Sequence, residues 1–160
     1  MSGTAPWTGG CQCGAIRFRV GRLGRPSVCH CRMCQKAHGS VGGVYVVGFD
    51  IEITRGQLAH FRSSNKVRRG FCANCGTPLT FEIDNGGTDI SIAAFDRAAE
   101  IVPIIQMSPE AKLPWVGTLD TLPVRTPEEM QRVAKHYQGI VSYQHPDHDT
   151  SEWPPKDRTS

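Results

Sequence analysis

No stretch of this 160-residue sequence approaches the roughly 20 apolar residues that cross a bilayer, so no membrane-spanning helix is expected. The N-terminus, Met-Ser-Gly-Thr-Ala-Pro-Trp, lacks a charged region followed by an apolar run, and no secretion signal is read there. Charge of one sign is scarce. The net charge of +3 suits a small anionic substrate but falls far short of a dedicated nucleic-acid footprint. Apolar content of 39% is slightly low, while 17 Gly and 11 Pro point to a turn-rich, β-leaning fold. No internal repeat appears beyond clusters of cysteine. The length fits a single domain with a modest core, to which a bound metal would add stability directly.

An eighth cysteine is also lacking. The seven present are Cys11, Cys13, Cys29, Cys31, Cys34, Cys72 and Cys75, and an odd number cannot close entirely into disulfides. Thiols at C-x-C and C-x-x-C spacing, in a chain without a visible secretion signal, favour metal ligation in a reducing compartment. The cytoplasm is the expected location. A dithiol redox motif would come with a βαβ pattern, which is absent. Seven is four plus three: four thiolates close a tetrahedral zinc site, and three leave its fourth position open.

Short strands fill most of the chain. Ala15–Val20 alternates apolar and charged residues, and Val44–Val47, Leu58–Phe61, Leu79–Ile83 and Ile90–Ala93 are similar. Asp84-Asn-Gly-Gly87 marks a hairpin turn. One helix is well signalled. Thr126 is its N-cap, Pro127 its first residue and Glu129 the partner that completes a capping box. Met130, Val133, Ala134 and Tyr137 then follow at helical spacing up to Gly139, which predicts a short helix covering one face of a sheet. The domain is expected over residues 1–143. Residues 144–160, rich in His, Asp, Pro and Ser, read as a flexible tail in which His145 and His148 are solvated.

In Cys72-Ala-Asn-Cys75-Gly76 the two thiolates can grip one ion if the chain turns tightly, and the glycine permits that turn. Cys11-Gln-Cys13-Gly14 is a tighter version. Spacing allows Cys31 and Cys34 to join Cys72 and Cys75 as an ordinary zinc ribbon. It also allows Cys11 and Cys13 to join Cys72 and Cys75, leaving Cys29, Cys31 and Cys34 as a compact local triad. The second arrangement is chemically tidier, although spacing alone does not decide.

Three stretches carry a family resemblance: Gly-Gly-Cys11-Gln-Cys13-Gly14-Ala-Ile-Arg-Phe, Cys29-His-Cys31-Arg-Met-Cys34-Gln-Lys-Ala-His-Gly39, and Phe71-Cys-Ala-Asn-Cys75-Gly-Thr-Pro-Leu79. Together they resemble the glutathione-dependent formaldehyde-activating enzyme (GFA) family, whose other name pairs it with centromere protein V. The resemblance runs over residues 8–123, more loosely beyond Lys112. It implies a mainly β fold of several small coiled antiparallel sheets, related to zinc ribbons, with one short C-terminal helix. It further implies two zinc ions per chain, a structural one on Cys11, Cys13, Cys72 and Cys75 and a catalytic one on Cys29, Cys31 and Cys34.

A zinc ion held by three thiolates carries net −1 and suits a soft fourth ligand, such as a thiol whose pKa it lowers. The expected activity is therefore that of a carbon–sulfur lyase acting on a small thiol and an aldehyde, and the resemblance implies glutathione and formaldehyde in those places. His30, flanked by two ligands, is a candidate proton shuttle. Lys36, Arg68 and Arg69 are candidates for holding the carboxylates of the thiol substrate. Gly39, Gly42 and Gly43 either let a substrate approach the backbone or only form turns. Asp96 and Asp120 have no partner that the sequence names.

Two other readings stand beside this one. In the first, both sites are closed, the second by His30 or His38, and the chain is a zinc-stabilised interaction module. In the second, Lys66-Val-Arg-Arg69 marks a nucleic-acid-binding ribbon, disfavoured because no aromatic stacking series accompanies it.

Overall fold

The computed structural model describes residues 5–153. Its strands are β1 (Trp7–Gly10), β2 (Arg17–Cys29), β3 (Gly43–Arg55), β4 (Ala59–Arg62), β5 (Val67–Phe71), β6 (Pro78–Ile83), β7 (Thr88–Ser91) and β8 (Ile105–Met107). The mainly β architecture expected from the sequence is what the chain adopts. One continuous path of antiparallel pairing runs β1-β2-β3-β7-β6-β5-β4, and β8 adds in parallel beside the end of β2. The two 13-residue strands β2 and β3 form the spine, and shifts in their register at Arg17/Phe18 and Leu23/Pro26 bend it.

Ile16, Phe18, Val20, Val46, Leu79, Ile90, Ile92 and Phe95 make the core, with Cys11 and Cys72 at its edge. Phe18 meets Phe95 edge-on, ring centroids 5.1 Å apart. Arg17 departs from simple alternation. It is buried, and its guanidinium pairs with Asp96 Oδ2 at 2.5 Å, so the aspartate without a legible partner does have one.

The described residues include two α-helices. Helix α1 (Arg32–His38) follows β2 directly and was not legible in advance. Helix α2 (Pro127–Tyr137) starts where its signals place it, with both hydrogen bonds of the Thr126/Glu129 capping box formed. None of its residues is buried, so the expectation that it covers a sheet face is corrected. An apolar stripe shows which side of a helix prefers cover; it does not say what supplies that cover. Among the described residues no helix is long and apolar enough to cross a membrane.

Within the segment read as a tail, His145 is not solvated as expected. His145 is 4% exposed, and its ring and that of Trp153 pack onto the loop between β1 and β2. His145 Nδ1 donates to Pro146 O, and its Nε2 accepts from Thr150 Oγ1 at 3.0 Å. Its ring packs edge-on against Trp153, centroids 4.9 Å apart. Arg17 reaches Asp149 and Arg55 reaches Thr150. His148 does remain exposed, and residues 154–160 lie outside the described part.

Candidate metal centres

The loop after β1 brings Cys11 and Cys13 to one side, and the turn after β5 brings Cys72 and Cys75 to meet them. Each turn is closed by a backbone bond back to its first cysteine carbonyl, from Gly14 N at 3.0 Å and Gly76 N at 2.8 Å. Gly14 and Gly76 adopt φ of 73° and 78°, which a side chain would resist. Gln12 N–H donates to Thr77 Oγ1 at 3.0 Å and ties the two turns together.

The four sulfurs lie within 4.8 Å of one another. Cys13 Sγ is 3.6 Å from Cys11 Sγ and 3.8 Å from Cys72 Sγ. Tetrahedral zinc–thiolate bonds of about 2.3 Å put sulfurs roughly 3.8 Å apart, so this donor set fits that ion. The protonation of the bare group points the same way. Burial pushes the Cys11 thiol up to about 12. Burial also acts to raise Cys75, but hydrogen bonds from Thr77 and Cys13 outweigh it and bring that thiol down to about 6. Four thiolates this close, two of them buried, would repel one another, and a dication offsets that repulsion.

The second group sits at the junction of β2 and α1. Cys29 ends β2, Cys31 is the N-cap of α1, and Cys34 lies in its first turn. Their sulfurs again lie within 4.8 Å of one another. The cap explains the C-x-C-x-x-C spacing: Cys31 Sγ accepts the N–H of Cys34 at 3.4 Å, and the helical turn swings Cys34 back beside it. Burial pushes Cys29 up to about 12. Cys31 is lowered: burial opposes this, but N–H donors from the first helical turn prevail. Cys29 and Cys34 are buried and Cys31 is partly exposed, so the group opens to solvent on the Cys31 side.

The structure therefore gathers all seven cysteines into the four-plus-three division, and no histidine nitrogen joins either group among the described residues. His38 Nε2 instead meets Tyr45 Oη at 2.5 Å, and burial followed by the charge of Arg69 lowers this imidazole to about 4. His30 is buried, and its Nδ1 has no hydrogen-bond partner. Its backbone is held on both sides, by N–H donation to Met107 O at 3.0 Å and by acceptance from Gln35 Nε2 at 2.7 Å.

The candidate cations separate. Lys36 is exposed on α1 and lines an open groove of about 640 Å³ with Arg32, Gln35, Leu113 and Trp115. Arg68 and Arg69 are neighbours on β5 and so point to opposite faces. The Arg68 side chain is 53% exposed and pairs with Glu82 at 2.5 Å. Arg69 is 3% exposed and turns inward, its Nη2 reaching Cys34 Sγ, and it lines a cavity of about 270 Å³ with His38, Tyr45 and Phe61. The Lys66–Arg69 run is thus not a continuous basic face. Arg32, Gln35 and Tyr45 were not singled out by sequence reasoning. Arg32 sits next to a cysteine motif and carries a visible signal; Tyr45 looks like any strand aromatic.

No curated protein matches this chain. A crystal structure of a Rhodobacter sphaeroides protein, solved in a structural genomics programme, shares the fold. It has a TM-score of 0.52 at 18% identity and covers 62% of this chain and 99% of its own. The family model for the glutathione-dependent formaldehyde-activating enzyme matches residues 6–111 and includes both cysteine groups. That match spans more than half of the 160 residues, and the chain belongs to the GFA family.

Proposed function

We propose that the protein is a zinc-dependent carbon–sulfur lyase that joins, and in reverse parts, a glutathione-type thiol and an aldehyde. The supporting observation is the contrast between the two cysteine groups. One offers four converging sulfurs and is complete; the other offers three and opens toward solvent beside Cys31. Zinc bound by three thiolates activates an incoming thiol by lowering its pKa and orients it. The family name supports the choice of thiol and aldehyde, and free thiols in both groups suit a reducing compartment such as the cytoplasm.

The chain's own residues supply the rest of the site. Arg32 and Lys36 flank the groove beside α1 and are the cations available to the carboxylates of a peptide-like thiol. His30 lies between Cys29 and Cys31 in the chain and its buried Nδ1 has no hydrogen-bond partner, which supports assigning it the proton exchange with the aldehyde oxygen. In the joining direction the carbon–sulfur bond forms, and the carbonyl oxygen takes up the proton that the thiol gives up. Parting the adduct returns both.

Native mass spectrometry tests this reading. Wild type is expected to carry two zinc ions and a specific glutathione adduct, and Cys31→Ser one zinc and no adduct. Adduct formation from glutathione and formaldehyde should be faster with wild type than without protein, and should be lost in Cys31→Ser. Two zinc ions with no thiol adduct and no rate enhancement would sink the lyase reading in favour of a non-catalytic zinc-stabilised module.

A further inference from the structure

Arg69 is buried at 3% exposure, and no carboxylate pairs with it among the described residues. A guanidinium stays charged at any ordinary pH, and a buried charge without a counter-ion is strongly unfavourable. Its partners are Ser63 Oγ at 2.9 Å from Nε, Tyr45 Oη at 2.5 Å from Nη1, and Cys34 Sγ at 3.4 Å from Nη2. The guanidinium also lies over the ring of Phe81, 4.8 Å from its centroid. Two of those partners are neutral hydroxyls, and the ring is neutral too. The group that can balance this cation is the sulfur cluster.

We propose that Arg69 is the built-in counter-charge of the three-cysteine centre, a positioning residue that acts on it through Cys34. Three thiolates and a zinc dication sum to −1, and the guanidinium brings the assembly to zero. The site can then accept an anionic thiolate as fourth ligand at the electrostatic cost of a neutral centre, which bears directly on the substrate class. The aim of Nη2 is fixed by the other contacts. Ser63 and Phe81 hold the guanidinium plane, while Tyr45 Oη accepts from Nη1 and donates its own O–H to His38 Nε2. In this role Arg69 serves the metal and its ligands through Cys34.

This inference rests on the metal-binding part of the reading above, and its test separates the two. The full chain is loaded with zinc or cobalt, and each site's affinity is measured by chelator competition, with the four-cysteine group as internal control. In Arg69→Met the three-cysteine site is expected to weaken by about tenfold or more, with a shifted sulfur-to-cobalt absorption band, while the control stays unchanged. Arg69→Lys retains the charge and should recover to within about threefold of wild type. Tyr45→Phe removes one contact but no charge and should behave like wild type.

An Arg69→Met protein with wild-type affinity and an unshifted cobalt band overturns the proposal. So does an Arg69→Lys protein as weak as Arg69→Met, which would show that shape and not charge matters. If Arg69→Met does not fold, Arg69→Lys decides alone on the same threefold criterion. If no variant folds, the Arg69 Nε–H resonance of wild type decides: it should move only with the metal equivalent that fills the three-cysteine site, and failure to move overturns the proposal. A wild-type chain whose three-cysteine site takes no metal would instead remove the reading beneath it.

Discussion

The backbone N–H of His145 donates to Gln12 O at 2.7 Å, joining the C-terminal segment to the short loop that carries Cys11 and Cys13. Trp153 Nε1 adds a bond to Cys13 O, and Gly14 lies beneath both rings. A Cβ on Gly14 would stand 2.3 Å from the His145 ring and 2.4 Å from that of Trp153, so the turn glycine is also a packing requirement.

Removing residues 145–160 is therefore expected to loosen the four-cysteine centre selectively. The His145 and Trp153 rings are the apolar surface lost, and burying a large side chain contributes about 1.5–3 kcal/mol. A drop of about 2–4 kcal/mol in urea unfolding is expected, with faster zinc release to a chelator from the four-cysteine site. Release from the three-cysteine site should not change. Equal acceleration at both sites would mean that the segment stabilises the whole fold and not this loop.

The Arg17–Asp96 pair gives the stability a defined pH dependence. Both side chains are nearly buried, and Thr8 Oγ1 donates to the same carboxylate at 2.6 Å. Burial acts to raise the Asp96 carboxyl, but the hydrogen bonds from Arg17 and Thr8 prevail and hold it below the usual carboxylate value. A depressed folded pKa contributes stability that is complete above the unfolded value, about 3.9, and is lost as pH falls through the folded one. Asp96→Asn should cost about 2–3 kcal/mol at pH 7, less than a fully orphaned charge because Asp149 still pairs with Arg17. The difference between the two proteins should shrink steadily below about pH 4. A constant difference between pH 7 and pH 3 would show that the pair contributes little.

Much of this was legible because metal ligation writes itself into spacing. Cysteines at C-x-C, C-x-x-C and C-x-C-x-x-C intervals are informative without knowledge of the sheet, and the Thr126/Glu129 cap is equally local. What escaped is long-range. Arg17 reads as the outward residue of an alternating strand, yet it is buried because Asp96, 79 residues away, receives it. Arg69 reads as part of a basic surface, and only the pairing of β5 with β6 turns it under the sheet. The 145–153 segment has a polar composition that suggests solvation, but it bonds to the Gln12 and Cys13 carbonyls and to the Arg17 and Arg55 side chains, partners that no sequence pattern exposes. Helix α1 was hidden by its length of seven residues and by a cysteine in the capping position, where serine or aspartate is the usual signal.

Gly42 is where the backbone closes on the three-cysteine group. A Cβ there would lie 2.7 Å from Cys29 O and 3.6 Å from His30 Nδ1. The nearer atom is backbone at the β2–β3 pairing, so the strands must separate to admit a methyl group. Gly42→Ala is expected to destabilise by about 1–3 kcal/mol and to weaken metal binding at the three-cysteine site by more than at the other. Gly39 makes the control. Its φ of 57° is strained for alanine, but nothing lies within 4 Å. Gly39→Ala should cost about 1–2 kcal/mol and leave relative metal affinities intact. Equal effects of the two substitutions on the three-cysteine site would argue against a tight backbone wall at Gly42.

Cys31 has two roles that can be separated because serine fills one of them. Its sulfur belongs to the three-cysteine group, and it also caps α1 by accepting the N–H of Cys34. Serine is a strong N-cap but a poor soft-metal ligand, whereas alanine is neither. Both Cys31→Ser and Cys31→Ala should therefore lose metal at the three-cysteine site to the same extent. They should differ in stability, the serine variant being the more stable by about 1 kcal/mol because the first turn of α1 stays capped. The difference is measured by thermal unfolding with the four-cysteine site loaded, so that metal bound there cancels between the two proteins. Equal stability would mean that α1 is held by its packing through Gln35, whose amide spans His30 O and Ala111 O, rather than by its cap.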